Sequence, residues 1–265
     1  MTTRIEQLQE LVRKAAQEEL VPRFTHVGHD YKADGSLITE ADLAIQQRLA
    51  DQLAEQWPEI GFLGEEMTEQ EQASLLESGQ PLWCLDPLDG TRNFAGGIPY
   101  FSVSLALLEG GGVSLGIVYD PIRDECFAAE KGKGASLNGK TLSVPESGVS
   151  LAQCTSLIDF KRLPKDLAGR LATESPYASQ RSFGSVALDW CWLATGRCHI
   201  YLHGKQNIWD YAAGNLIFLE AGGYSTTLEG ESVFVNALLP RSALGAGEEQ
   251  MFRDWTDWLG VTVKD

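Results

Sequence analysis

Four short segments of the 265-residue chain gather carboxylates beside glycines or helix starts, the groups that hold hard cations and phosphate. The strongest runs Trp83-Cys84-Leu85-Asp86-Pro87-Leu88-Asp89-Gly90-Thr91-Arg92-Asn93-Phe94. An apolar strand is expected to end at Asp86, Pro87 to fix a turn, and Asp89-Gly90-Thr91 to open a short helix. Two carboxylates three residues apart around a fixed turn can converge on one cation, with the Leu88 carbonyl as a further oxygen. The N–H groups of Gly90 and Thr91 at the helix start form a seat for phosphate. An ordinary Asp cap explains a lone Asp-Gly, but not two aspartates bracketing Pro-Leu at a strand end.

The other three segments are weaker taken singly. Gly64-Glu65-Glu66 follows a short apolar strand, yet adjacent carboxylates commonly face solvent, and Met67–Gln72 continues polar. Trp209-Asp210 precedes the small residues Ala212-Ala213-Gly214, where Asp210 could serve only as a helix cap. The stretch from Tyr31 to Asp42 offers Lys32, a turn at Asp34-Gly35, and Asp42 in the first turn of a helix.

Three further patterns are chance matches. Gly134-Ala-Ser-Leu-Asn-Gly139-Lys140-Thr141 satisfies the Walker A spacing, but a phosphate loop must lead into a helix. Here Asn138-Gly139 is a hairpin signal and Pro145 follows closely. Gly112-Val-Ser114-Leu-Gly116 spells a nucleophile elbow inside a strand-period run, where the required strand-to-helix turn is missing. Cys198-His199 with His203 lacks a fourth zinc ligand, which favours a structural role.

The elements that must position these groups follow from periodicity. Ile5, Leu8, Leu11, Val12, Ala15 and Ala16 predict a helix over about 3–20, and Ile45, Leu49 and Leu53 another over about 40–57 behind a Thr39 cap. Short buried strands are expected at Ile60–Leu63 and Leu82–Leu85. Period-two runs then predict strands at Phe101–Leu108, Val113–Tyr119 and Cys126–Ala129. After Pro145 the pattern becomes strands alternating with helices, with helices near 185–195 and 210–221 and a strand near 198–203. The expectation is one α/β (α+β) sandwich of two lobes, an N-terminal α+β lobe of about 1–147 and a C-terminal α/β lobe of about 148–265.

Composition sets outer bounds. With 43% hydrophobic and 22% charged residues the chain is an ordinary globular one. Its 37 acidic residues against 21 basic ones give a net charge of −16, which disfavours nucleic acid and anionic membrane surfaces. The amphipathic start carries no signal-like apolar core, and five cysteines without CxxC spacing read as reduced thiols in a cytoplasmic protein.

Taken together, the four segments resemble the inositol monophosphatase-like family of magnesium-dependent, lithium-sensitive phosphatases. Asp86-Pro-Leu-Asp-Gly-Thr91 is similar to its first signature, and Trp209-Asp210 with Gly222-Gly223 to its second. The resemblance runs from about Lys32 to Gly223. It implies a layered α-β-α-β-α sandwich, a homodimer, and two to three Mg²⁺ held by Glu65, Asp86, the Leu88 carbonyl, Asp89 and Asp210, with Glu66 as an outer ligand. Thr91 and Asp42, alongside Glu65, would orient and deprotonate the attacking water. Gly90 and Thr91 would hold the phosphate with Lys32 at its edge, and Gly184, Ser185, His203 and Asp210 would meet the substrate.

The physics fits that implication. Two carboxylates 4 Å apart repel by roughly 4 kcal/mol at an effective dielectric of 20, so such a cluster requires cations. The expected reaction is in-line hydrolysis of a small phosphorylated metabolite without a phosphoenzyme. A non-catalytic binding protein on the same fold is disfavoured by the intact carboxylate set. Thr91-Arg92-Asn93-Phe94 points to inositol 1-phosphate, and also resembles the histidinol-phosphate variant. Fructose 1,6-bisphosphate and 3′-phosphoadenosine 5′-phosphate are further candidate substrates for this fold. His203 departs from the family pattern, since the animal enzymes carry a hydroxyl-binding glutamate there.

Overall fold

The computed structural model describes residues 3–24, 29–31 and 37–264. In chain order the elements are α1 (Arg4–Glu19), β1 (His29–Tyr31), β2 (Leu37–Thr39), α2 (Glu40–Gln56), β3 (Gly61–Gly64), α3 (Glu69–Glu77), β4 (Leu82–Asp89) and α4 (Thr91–Ala95). There follow β5 (Ser102–Glu109), β6 (Gly112–Asp120), β7 (Glu125–Glu130), β8 (Gly134–Leu137), β9 (Lys140–Leu142), β10 (Thr155–Asp159), α5 (Lys165–Thr173) and β11 (Ser179–Arg181). The last are α6 (Val186–Ala194), β12 (Ile200–Gln206), α7 (Ile208–Glu220), β13 (Tyr224–Thr226), β14 (Arg241–Ala246) and α8 (Glu249–Leu259).

Seven strands form one sheet in the order β3-β4-β5-β6-β7-β8-β9, antiparallel except for the parallel pair β3·β4. Five form a second in the order β11-β10-β12-β14-β13, with β11, β10 and β12 parallel. Strand alternation sorts the larger sheet's side chains between two cores. Trp83, Leu85, Leu105 and Ile117 point to the stripes of α1 and α2 (Leu8, Val12, Ile45, Leu49). Cys84, Ala106, Val118 and Phe127 point the other way, to Leu188 and Trp190 of α6 and Ala213 and Leu216 of α7. The smaller sheet gives Leu157, Tyr201 and Ala243 to that same middle core. Its Ile158, Leu202 and Leu244 pack instead on Leu171 of α5 and Phe252 and Trp255 of α8. The result is the expected α-β-α-β-α layering.

Residues 212–214 explain how closely the middle layer sits. A Cβ at Gly116 would lie 2.8 Å from the Ala213 carbonyl oxygen, so α7 rests almost backbone to backbone on β6. Each fully buried Leu or Phe around it contributes about 1.5–3 kcal/mol.

The structure differs from the sequence reading in two places and agrees with it in a third. The segment after Glu66 is not a plain polar surface. Thr68 and Glu71 form a reciprocal capping box that starts α3, with Gln72 and Leu76 buried. Second, β4 does not end at Asp86. It runs on to Asp89, with Asp86 opposite Ser104 and Asp89 opposite Ser102, so one extra residue is bulged out around Pro87. The Walker-like segment, by contrast, is β8, a turn and β9, with Asn138 at φ 50° and Gly139 at φ 74°, as the hairpin reading expects. Ser114 lies within β6 and donates its hydroxyl to the Leu107 carbonyl, 3.3 Å away. Among the described residues no helix is long and apolar enough to cross a membrane.

Candidate active site

The bulge in β4 presents Asp86 and Asp89 from the end of the larger sheet. Asp86 is 2% exposed, and its Oδ1 accepts the Leu88 N–H at 3.0 Å, which closes the local turn. Burial raises its proton affinity most, and the charges of Glu65, Asp89 and Asp210 raise it further. The Glu65 carboxyl lies within hydrogen-bond reach of it.

Asp89 reaches across to the middle layer. Its Oδ2 accepts the Ser185 hydroxyl at 2.6 Å and the Ala187 N–H at 2.7 Å, so it sits as an anion on the N-terminus of α6. Burial pushes its pKa up to about 6, while the Ser185 hydroxyl and the Ala187 and Val186 N–H groups pull it back. Asp210 stands in the first turn of α7, where its Oδ2 accepts the Asn207 N–H at 2.8 Å. Burial and the charges of Asp89 and Glu65 raise its proton affinity, and Arg162 opposes them.

Asp42 is 1% exposed and occupies the corresponding place in α2. Its Oδ2 accepts both the Thr39 N–H at 2.7 Å and the Thr39 hydroxyl at 2.5 Å. Its Oδ1 lies 3.3 Å from Thr91 Oγ1, which is also 3.0 Å from the Leu88 carbonyl oxygen. Burial, aided by the Glu65 charge, raises the proton affinity of Asp42.

Gly90 turns the chain between β4 and α4 at φ 98°, and a Cβ there would lie 3.0 Å from the Tyr100 carbonyl oxygen. Only glycine satisfies both constraints. Glu65, Gly90, Thr91, Arg92, Asn93, Ser182, Phe183 and Gly184 line one cavity of about 370 Å³. Asn93 stitches its two walls, donating Nδ2 to the Tyr100 and Phe183 carbonyls at 2.7 and 2.6 Å.

Two residues expected to meet substrate have polar partners within the chain. Ser185 is fully buried and its hydroxyl is spent on Asp89, with Ser102 Oγ at 3.3 Å, so it faces a carboxylate rather than the cavity. His203 is 6% exposed, with Nε2 at 3.2 Å from Asp159 Oδ2 and Nδ1 accepting the Lys205 N–H at 3.2 Å. Both of its nitrogens are engaged inside the smaller sheet. His199 likewise accepts the Thr155 N–H through Nδ1, which leaves no cluster with Cys198. Lys32 lies outside the described residues.

Residues that the sequence reading did not single out hold the site's corners. Gln72 of α3 donates to the Gly64 and Glu65 carbonyls at 2.9 and 3.2 Å, and Gln46 accepts the Glu66 N–H at 3.2 Å. The Thr68-x-x-Glu71 capping box was the available signal for Gln72. The contacts across the layers have no local signal.

Among the described residues no three His, Cys, Asp or Glu side chains form a closed ion cage. The group is an open one in which single carboxylate oxygens are already tied to N–H and hydroxyl donors. Its chemistry nevertheless fits hard divalent cations. The donors are all oxygens, and the charges raising Asp86 are all negative, a repulsion that cations relieve.

Layered architecture, a paired-carboxylate strand end and an adjoining cavity of about 370 Å³ are features of a phosphatase of the inositol monophosphatase type. The chain belongs to the inositol monophosphatase family, whose profile matches residues 1–254. It is 37% identical over 221 residues to inositol monophosphatase 1 of Solanum lycopersicum, covering 81% of this chain and 78% of that one. It is 35% identical over 201 residues to a fructose-1,6-bisphosphatase/inositol-1-monophosphatase of Thermotoga maritima, covering 74% and 73%. Nus factor SuhB of Pasteurella multocida is 35% identical over 196 residues, covering 72% of each. Among solved structures, the suhB extragenic suppressor protein of Bartonella henselae superposes with a TM-score of 0.82 at 30% identity, covering 95% of this chain and 96% of that one.

Proposed function

We propose that the chain is a Mg²⁺-dependent phosphomonoesterase acting on small phosphorylated metabolites, with inositol 1-phosphate as its lead substrate. The observation that carries this reading is the single cavity joining Glu65 to Gly90, Thr91 and Gly184 beside the buried Asp86 and Asp89. Glu65, Asp86, the Leu88 carbonyl, Asp89 and Asp210 would hold two to three cations, with Glu66 as an outer carboxylate. Such ions acidify an attacking water, neutralise phosphate oxygens and stabilise the departing alkoxide.

The chain's own groups do the rest. The Gly90 and Thr91 N–H groups at the start of α4 bind phosphate oxygens, and the positive φ of Gly90 sets their direction. Thr91 Oγ1 donates its proton towards Asp42 and accepts from the attacking water, which fixes that water's orientation. Asp42 takes the proton relayed through Thr91, and its raised proton affinity suits it to that task. Glu65 lies beside this pair. A homodimer and a reducing cytoplasmic setting complete the proposal, and five free, buried cysteines support the latter.

The test is phosphate release from inositol 1-phosphate, histidinol phosphate, fructose 1,6-bisphosphate and 3′-phosphoadenosine 5′-phosphate, with and without Mg²⁺. Mg²⁺-dependent release from inositol 1-phosphate is expected, with one solvent oxygen entering the phosphate and inversion at phosphorus. No release from any of the four, or retention at phosphorus, refutes the reading.

A further inference from the structure

Most of the sulfur in this chain is sealed from solvent. The five cysteines are at most 3% exposed, and a thiol out of water stays in its protonated, unreactive form. Of the three methionines, Met251 is 5% exposed in the core beneath α8, and Met1 lies outside the described residues. Met67 is half-buried, which leaves it the one sulfur residue with a substantial exposed share among the described residues.

Met67 closes the turn that carries two of the site's carboxylates. β3 is an edge strand of the larger sheet. Gly61 and Glu65 direct their N–H groups to the Pro81 and Leu85 carbonyls on the β4 side, at 3.0 and 3.1 Å. Alternation along the strand therefore aims the Gly64 N–H the other way, at an edge with no further strand. Met67 Sδ accepts that N–H at 3.3 Å. Met67 also donates its own N–H to the Gly64 carbonyl at 3.3 Å, which completes a four-residue turn. Its two central residues are Glu65 and Glu66.

The inner side of this turn is held by other elements. Gln72 of α3 donates to the Gly64 and Glu65 carbonyls, and Gln46 of α2 accepts the Glu66 N–H. A Cβ on Gly64 would fall 2.4 Å from Gln46 Oε1, so the turn is pressed against α2 and has no room to slide inward. The sulfur of Met67 is the fastener at the sheet edge.

A thioether is a weak acceptor, and oxidation makes it a polar sulfoxide of different shape. An oxygen set between sulfur and nitrogen needs about 2.9 Å from the nitrogen alone, which a gap of 3.3 Å to the sulfur does not provide. The turn must open to admit it. With the oxygen pointed away instead, the sulfur is electron-poor and the Gly64 N–H loses its acceptor. Both routes release the turn around Glu65 and Glu66.

We propose that Met67 is a site of reversible oxidation to the sulfoxide, and that this modification weakens the hold of Glu65 and Glu66 on divalent cations. The inference rests on the assignment of those carboxylates to cations in the phosphatase reading and adds a control over them. The oxidant is a peroxide. The thioether sulfur attacks one peroxide oxygen, the O–O bond breaks, and the other oxygen takes the proton and leaves as water. A dithiol reverses the change through a methionine sulfoxide reductase, its two sulfurs joining as a disulfide while the sulfoxide oxygen leaves as water.

The test treats the folded full chain with dilute hydrogen peroxide, locates the added oxygen by peptide mass mapping, and follows Mg²⁺ binding by calorimetry, which needs no turnover. Met67 should oxidise well before Met251. The dissociation constant for Mg²⁺ should then rise roughly threefold to tenfold, the worth of one hydrogen bond, and reductase with dithiol should restore it. Met67→Leu keeps the bulk without an oxidisable sulfur and should not respond to peroxide, whereas Met251→Leu should respond as the parent does. The Mg²⁺ concentration for half-maximal phosphate release from inositol 1-phosphate should move by the same factor as the dissociation constant.

Oxidation of Met251 ahead of Met67, unchanged Mg²⁺ affinity in the Met67 sulfoxide, or an equal loss in peroxide-treated Met67→Leu overturns the proposal. A parent that binds no Mg²⁺ overturns it together with the metal assignment. The expected calorimetric shift with no phosphate release from any substrate refutes the phosphatase reading and leaves the role of Met67 standing.

Discussion

Ser185→Ala separates two roles for a residue that the motif resemblance placed against substrate and the structure places against Asp89. The hydroxyl donates to Asp89 Oδ2 at 2.6 Å in a fully buried setting, so it favours the ionised carboxylate. A hydrogen bond to a charged group contributes about 1.5–3 kcal/mol. At 1.36 kcal/mol per unit, its loss should raise the Asp89 pKa from about 6 by roughly one to two units. Asp89 must be ionised to hold a cation, so at neutral pH a large share of the variant would be protonated and inactive. The assay is the pH profile of kcat/KM for inositol 1-phosphate at sub-saturating Mg²⁺. The acid limb should move to higher pH by about one unit, with a matching rise in the Mg²⁺ concentration for half activity. The Ala187 N–H still anchors Asp89, so the melting temperature should fall only modestly. An unmoved acid limb with a higher substrate KM would refute this reasoning and return Ser185 to substrate contact.

Asp89→Asn should abolish turnover by at least about a thousandfold while the protein stays folded, because the amide oxygen can still accept from Ser185 and Ala187. Phosphate release and circular dichroism check this, and near-parental activity would exclude Asp89 as a ligand. The raised proton affinities of Asp42, Asp86, Asp89 and Asp210 also set a sign for stability. Without divalent cations the folded state binds more protons than the unfolded one, so stability falls as pH rises from about 4 through about 6. Asp89 alone accounts for roughly 3 kcal/mol across that window. In EDTA the melting temperature should therefore be higher at pH 5 than at pH 7.5, and Mg²⁺ should raise it more at pH 7.5. A melting temperature in EDTA that climbs with pH over this range would contradict the clustered-carboxylate account.

What could be read from the sequence divides along a physical line. Local features were legible. Capping placed Thr39 before α2 and Asn138-Gly139 in a hairpin, and period two located β5, β6 and β7. The Asp86–Thr91 run was legible because its chemistry is concentrated in six residues. Helix α3 was missed because a polar stretch hid a capping box whose buried side is only Gln72 and Leu76. Pro87 reads as a turn because proline has no N–H to give a strand ladder, and the bulge that accommodates it needs the partner strand to be seen. Ser185 and His203 were assigned by position in a motif. Their polar partners within the chain, Asp89 and Asp159, are 96 and 44 residues away, and only the pairing of sheets and layers brings them near.

The near contact between Gly116 and Ala213 bears on how the site tolerates change. Side-chain packing adjusts when a residue is exchanged, because rotamers and neighbours can shift by fractions of an ångström. A helix held against a strand by main-chain atoms has no such slack. The height of α7 above the larger sheet, and with it the reach of Asp210 towards Asp86 and Asp89, is therefore fixed by the size of the backbone itself. Substitutions in the large residues of the middle core can accumulate without disturbing the carboxylates' spacing. A single methyl group at Gly116 would move one of them relative to the rest.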